Sequence, residues 1–306
     1  MARKLVIPGG TGFLGPLLAR WFAAKGWDVT IFSRSARPVP DARVVRWDAA
    51  TRGDWVGELE GADAVVNLAG RSVNCRYNAK NRAEILQSRV VSTRILGEAM
   101  ATCARPPRVW LNSSTATIYR HAEDRPMDEA TGEIGSGFSV EVAKDWEAAL
   151  GEAHLPATRR VALRAAMVMG PQAGGPFVVF HRLARFGLGG TMGSGNQYVS
   201  WLHDEDFCRA IAWLIEHEDF SGAVNLAAPN PIPNRDFMRD VRQANGSPIG
   251  LPATRWMLEI GAFFLRTETE LPLKSRRVIP TRLLDAGFTF QHPTWLEAAK
   301  EIVARL

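Results

Sequence analysis

Apolar and polar positions in the first half of the chain follow two alternating rhythms. Short apolar runs rich in branched residues predict buried strands over 4–8, 28–33, 43–47, 64–69, 108–113 and 158–163. Between them, apolar residues recur at intervals of three and four, which predicts helices over 13–25, 79–103 and 139–153. In the first of these, Leu14, Leu17, Leu18, Trp21 and Phe22 share one face. Pro106-Pro107 closes the second. Strand–helix alternation of this kind predicts an α/β fold, a Rossmann-type doubly wound parallel sheet with helices on both faces.

Beyond residue 165 the rhythm loosens. Gly170–Pro176 and Gly187–Gly195 read as loops around a short helix over 177–186. A helix over 204–216 carries acids in its first turn, where the helix dipole favours them. A strand follows over 222–227, then a proline-rich turn over 229–233 and a largely helical remainder. These signals predict a dinucleotide-binding core over 1–165, with 200–228 returning to it. Residues 166–199 and 229–306 would form a smaller C-terminal α+β substrate region.

Composition narrows the class. Of 306 residues, 46% are hydrophobic and 23% charged, so a sizeable core is affordable and wholesale disorder is excluded. The longest apolar runs, such as 260–265, stop far short of the ~20 residues of a spanning helix, and Gly9-Gly10 interrupts the apolar N-terminal stretch, against a secretory signal. Three dispersed cysteines without C-x-x-C spacing predict a reducing, cytoplasmic setting and no zinc site. The +5 net charge is spread along the chain, which argues against nucleic acid as a partner, and nothing calls for a membrane. Lys274-Ser-Arg276-Arg277 is its nearest approach to a cluster, either a solvated surface or a contact for an anionic substrate or partner.

One motif carries most of the information. Gly9-Gly10-Thr11-Gly12-Phe13-Leu14-Gly15 stands between the first strand and the first helix. That context requires a tight turn, a backbone bare enough for a pyrophosphate to approach, and close helix–strand packing. At the end of the second strand, Ser33-Arg34 is followed by Ser35 and Arg37, with no acid until Asp41. A carboxylate there would suit the ribose 2′-hydroxyl of NAD; guanidinium and hydroxyl groups suit a 2′-phosphate, so NADP(H) is the expected cofactor.

With these motifs the chain resembles the extended short-chain dehydrogenase/reductase superfamily, in its epimerase/dehydratase branch. Asn67-Leu-Ala-Gly70 lies where that family's backbone passes the cofactor. Asn112-Ser-Ser-Thr-Ala-Thr-Ile-Tyr119 resembles the Ser/Thr-rich segment of UDP-galactose 4-epimerases, and Ser200–Asp206 the start of the returning helix. Ser88-Arg89-Val90 with Thr93, Asp145-Trp146-Glu147, Gly187–Gly190, Gly193-Ser-Gly195 and Leu283–Phe288 resemble an epimerase-like subgroup with a C-terminal domain of unknown function. The resemblance implies cofactor contacts at Ser33, Arg34, Leu68, Ala69, Glu84, Arg89 and Val168, with Gly70 and Ser113 as further candidates. Glu84 and Arg89, five apart on one helix, either point at one site or form an exposed ion pair. Superfamily relatives often dimerise through two helices, which leaves a homodimer open.

The family's catalytic pair, a tyrosine with a lysine four residues on, is missing. Tyr77, Tyr119 and Tyr198 are followed at that spacing by Asn81, Glu123 and Leu202. Aligned by the helix, Val140 takes the tyrosine position and Lys144 the lysine position. Lys144 then either holds the nicotinamide ribose or faces water; Thr115 either polarises a substrate or ends a strand. Tyr119 is either the best-placed substitute acid or a half-buried aromatic beside the pocket, and His203 is either an acid/base group or a packing or capping residue. Two functions compete: an NADP(H)-dependent oxidoreductase or isomerase of an unknown small molecule by a route without the tyrosine–lysine pair, and a noncatalytic NADP(H)-binding sensor or partner-binding protein.

Overall fold

In the computed structural model, which describes residues 2–254, 256, 257, 259 and 273–306, seven parallel strands form one sheet. The strands are β1 (Lys4–Pro8), β2 (Asp28–Ser33), β3 (Arg43–Arg46), β4 (Ala64–Asn67), β5 (Val109–Thr115), β6 (Arg159–Ala165) and β10 (Gly222–Leu226), in the order β10-β6-β5-β4-β1-β2-β3. The order reverses between β1 and β4, which opens a crevice at the strands' carboxyl ends. Helices α1 (Leu14–Ala23), α2 (Ala79–Met100) and α3 (Phe138–Glu152) connect β1 to β2, β4 to β5 and β5 to β6, and α5 (Asp204–Glu216) precedes β10.

Two apolar layers sandwich the sheet, so both its faces are dry. Leu5, Ile7, Leu18, Phe22, Leu111, Leu163 and Ile211 belong to one; Val6, Phe32, Val65, Leu96, Trp110 and Leu150 belong to the other. A third cluster joins α4 (Pro176–Arg185), α6 (Asn234–Ala244) and α8 (Trp295–Ala304), where the Trp295 ring stacks on Phe237 at 4.3 Å. Short pairings complete the described residues: β7 (Met167–Met169) with β9 (Trp201–His203), and β8 (Tyr198–Val199) with β11 (Ile232–Pro233). Thr281–Asp285 forms the short helix α7.

The sequence pattern and the structure differ mainly at element ends. β5 and β6 each run two residues past their apolar stretches, because Ser114 and Thr115 pair with Arg164 and Ala165 and complete the ladder. β7, β9 and a 3₁₀ helix at Asp54–Leu59 carry too little periodicity to be read from the sequence. The run 260–265 lies outside the described residues; among these, no helix is long and apolar enough to cross a membrane.

Buried polar groups tie the layers together below the crevice. Asn67 of β4 donates to Asn112 of β5 at 2.7 Å, and the Trp146 indole of α3 donates to Thr93 of α2 at 3.0 Å. Nearer the strand ends, Arg164 holds Glu147 through two parallel hydrogen bonds of 2.9 and 2.8 Å, and Ser114 donates to the same carboxylate at 2.6 Å. Such a pair is costly to break because the surviving charge stays buried. Arg164→Met is expected to destabilise the protein by about 3–5 kcal/mol in chemical denaturation, with Arg164→Met/Glu147→Leu less destabilised than the single variant.

Candidate functional site

The glycine loop begins where β1 ends. Gly9 has φ +72°, and a Cβ there would lie 2.5 Å from the Ala69 Cα of the neighbouring strand's exit loop. A Cβ on Gly15 would lie 1.9 Å from the Gly10 carbonyl oxygen. Protein contacts therefore require both glycines. Gly12 is different: a Cβ there would meet nothing within 4 Å. It lines a cleft of about 610 Å³ and leaves that cleft open above the loop. Behind it, α1 starts at Phe13 with no side-chain cap and no acid in its first turn, so its free amides suit an anion.

The same cleft is lined by Gly9, Thr11, Ser33, Arg34, Leu68, Ala69 and Gly70. Ser33 Oγ lies 3.5 Å from Thr11 Oγ1 and accepts from the Ser35 amide at 3.2 Å. Arg34 is exposed and has no hydrogen-bond or ion-pair partner among the described residues. Gly10, Phe13, Leu14 and Gly15 frame the loop: Leu14 packs into the core, and a Cβ on Gly175 would touch the Phe13 ring.

Glu84 and Arg89 do not pair with each other. Glu84 pairs with Arg71 at 2.6 Å, whereas Arg89 donates to the carbonyls of Arg71 and Ile85 at 3.1 and 3.0 Å and packs over the Trp146 ring. Burial brings the Arg89 guanidinium down to about 10. It sits directly under Gly70, whose Cβ would lie 3.2 Å from Arg89 Cζ.

The expected catalytic half lies elsewhere. Ser113, Thr115, Lys144 and Val168 are not part of this cleft. Val168 is buried in the core, where β7 pairs with β9. Lys144 is half exposed and pairs with Glu141 at 3.2 Å. Thr115 accepts from the Thr117 amide at 3.1 Å, and its own proton has no acceptor among the described residues.

Tyr119 requires a correction. It is 1% exposed and packs with Ala116, Val140 and Ala143; its hydroxyl donates to Asn225 and accepts from Arg164, each at 2.9 Å. Burial pushes the phenol above its ordinary value, and the ring follows the short 3₁₀ turn Ala116–Ile118. Val140 is fully buried in that cluster.

His203 caps α5, accepting from the Glu205 amide at 3.2 Å, and its ring stacks on His292 at 3.6 Å. These two histidines and Glu205 bring ligand atoms within 4.8 Å of one another, but the occupied Nδ1 and the face-to-face rings suit a cap rather than converging metal ligands. The basic run at 274–277 is no solvated surface: Ser275 and Arg276 are buried, and Lys274 and Arg276 donate to the two oxygens of Thr117 at 2.9 and 3.0 Å.

Sequence reasoning missed one wall of the cleft, formed by Trp47–Ala50 with Arg71, Gln87, Ser88 and Val91. Asp48 accepts from the Thr51 hydroxyl and from the Thr51 and Ala50 amides, which holds its carboxyl at about 2 and places Ala49 at φ +66°. The spacing Asp48-x-x-Thr51 is a turn signature that could have marked this loop. Residues 84, 87, 88 and 91 share a face of α2 at helical spacing.

Comparison with known proteins agrees with this geometry. The model of the NAD dependent epimerase/dehydratase family matches residues 5–227, nearly three quarters of the chain. The chain belongs to that family. A domain of unknown function (DUF1731) matches residues 253–302. Epimerase family protein SDR39U1 of Bos taurus is 33% identical, over 98% of this chain and 100% of its own length. Epimerase family protein ML0860 of Mycobacterium leprae is 31% identical, over 99% and 97%. The crystal structure of human SDR39U1 with NADPH superposes with a TM-score of 0.88 at 29% identity, covering 99% of this chain and 100% of that one.

Gly12→Val is expected to abolish nucleotide binding in calorimetric titration while leaving the melting temperature nearly unchanged, since the side chain has space but fills the cradle. Tyr119→Phe should cost about 1–3 kcal/mol of stability by leaving buried Arg164 and Asn225 short of a partner, with nucleotide affinity unaltered.

Proposed function

We propose that this chain binds NADP(H) and acts with it on a small molecule, as an oxidoreductase or isomerase that does not use a tyrosine–lysine pair. The observation that carries the reading is the open space at Gly12, against an uncapped helix start and within the cleft that also holds Arg34, exposed and without a partner among the described residues. The human relative bound to NADPH supports the phosphorylated cofactor over NAD.

In this reading the amides following Gly12 and the start of α1 hold the diphosphate, and Ser33 and Arg34 hold the 2′-phosphate. Arg89 supplies a buried cation beneath Gly70 that pairs with no carboxylate among the described residues, so an anion on the cofactor side stabilises it. Bound nicotinamide would supply hydride transfer. Thr115 retains a proton for a substrate oxygen at the end of β5, and Lys144 is the cation for the ribose hydroxyls once released from its exposed pair with Glu141.

A second reading, a noncatalytic NADP(H)-binding sensor, is favoured by one specific observation. Val140 fills the tyrosine position and is sealed in the core beside Tyr119, so no phenol takes the acid's place. Turnover of a panel of carbonyl compounds with NADPH separates the two: activity lost in Thr115→Val selects the enzyme, and its absence throughout selects the sensor. For the cofactor itself, Arg34→Ala should weaken NADPH binding by about 10- to 150-fold, the loss of a charged hydrogen bond, and change NADH binding less than about twofold. Equal losses for both nucleotides would reject the specificity.

A further inference from the structure

The cleft at Gly12 continues outward past Arg34. A second depression of about 490 Å³ adjoins it, and the two share Arg34, Trp47 and Asp48. Arg46 lines the second depression beside Arg34. Like Arg34, Arg46 is exposed and makes no hydrogen bond or ion pair among the described residues. Three guanidiniums without a carboxylate partner among the described residues therefore line the second depression, Arg34 at its junction with the first, Arg46, and Arg52, which donates to Thr102.

Sheet register fixes where Arg46 points. It is paired with Ser33 across the parallel β2–β3 ladder. Residues in register on adjacent strands, about 4.8 Å apart, send their side chains to the same face. Ser33 faces Thr11 of the glycine loop. Arg46 consequently leaves the sheet on the glycine-loop side, one strand further out. The carboxylate between the two depressions, Asp48, accepts from Ala50 and Thr51 and makes no ion pair with Arg46 among the described residues. The other acid nearby, Asp54, begins the 3₁₀ helix at the far side.

We propose that Arg46 and Arg34 form a two-guanidinium clamp for a phosphate monoester at the junction of the two depressions, with Arg46 a determinant of selectivity for the 2′-phosphorylated cofactor. The inference rests on the NADP(H) reading and adds a residue from a different strand to it. A single exposed arginine shares its charge with water and salt; two that converge on one dianion hold it by charge-assisted hydrogen bonds from both sides. An NAD-type site would gain nothing from Arg46, since a ribose hydroxyl carries no charge to bind.

The test is calorimetric titration of NADPH and NADH into the wild type, Arg46→Ala, Arg46→Gln and Arg34→Ala, with Arg20→Ala, in the last turn of α1, as a control that removes charge outside both depressions. Melting curves establish that each variant is folded. The clamp predicts that both Arg46 variants lose on the order of tenfold in NADPH affinity, that NADH affinity stays within about twofold, and that Arg20→Ala behaves as wild type. Loss in Arg34→Ala with Arg46 variants unchanged overturns the clamp and leaves the NADP(H) reading standing. Equal losses for NADPH and NADH in Arg46→Ala, or a matching loss in Arg20→Ala, also overturn it, as a structural or diffuse effect. A wild type that does not prefer NADPH at all overturns the reading beneath it.

Discussion

The site depends on how closely three pieces of backbone approach one another. Gly9 lies against Ala69 and Gly15 against the Gly10 carbonyl, at separations no side chain would allow. That packing fixes the start of α1 over the sheet's carboxyl edge and points its free amides into the crevice where the strand order reverses. Once those contacts are made, the space at Gly12 follows, and so does the positive end that faces it. In the proposed reading, charge recognition at Ser33 and Arg34 is added to a cradle built from main chain.

Beneath the cradle, buried polar groups replace apolar packing at chosen points. Asn67, Asn112, Thr93 and Trp146 join β4, β5, α2 and α3 by hydrogen bonds, and Asn67 also accepts from the Ala69 amide on the cleft wall. Fully paired networks of this kind resist rearrangement, because each partner removed strands another. Ser114, Glu147, Arg164, Tyr119 and Asn225 play the same part at the ends of β5, β6 and β10. The phenol of Tyr119 thus serves rigidity. The proposed reacting groups stand outside this network: Thr115 accepts from the Thr117 amide and Lys144 pairs with Glu141 at the surface, a sparser set than a tyrosine–lysine pair.

The parallel sheet and the glycine loop were legible in the sequence because their causes are local. Strand after strand is a short branched run, and Gly10 and Gly15 meet across a single turn. Other features depend on partners far along the chain. Tyr119, four residues beyond Thr115, reads as a neighbour of the reaction centre until Arg164 and Asn225, 45 and 106 residues away, are seen to hold it. The Trp47–Ala50 wall and the place of Arg46 follow from β3 lying outside β2, which no periodicity encodes. The run Lys274–Arg277 resembles any charged surface in sequence; only the fold lays it on Thr117. Distance along the chain, more than chemistry, separated what could be read from what could not.

The central claim is that main-chain amides at the glycine loop hold a dinucleotide diphosphate, with the cofactor's 2′ end at Ser33 and Arg34. A crystal structure of the protein grown with NADPH tests it most directly. The account predicts the diphosphate within hydrogen-bonding distance of the amides following Gly12, and the 2′-phosphate against Arg34. A nucleotide ordered anywhere else, or a 2′-phosphate turned to solvent away from Arg34, would contradict it.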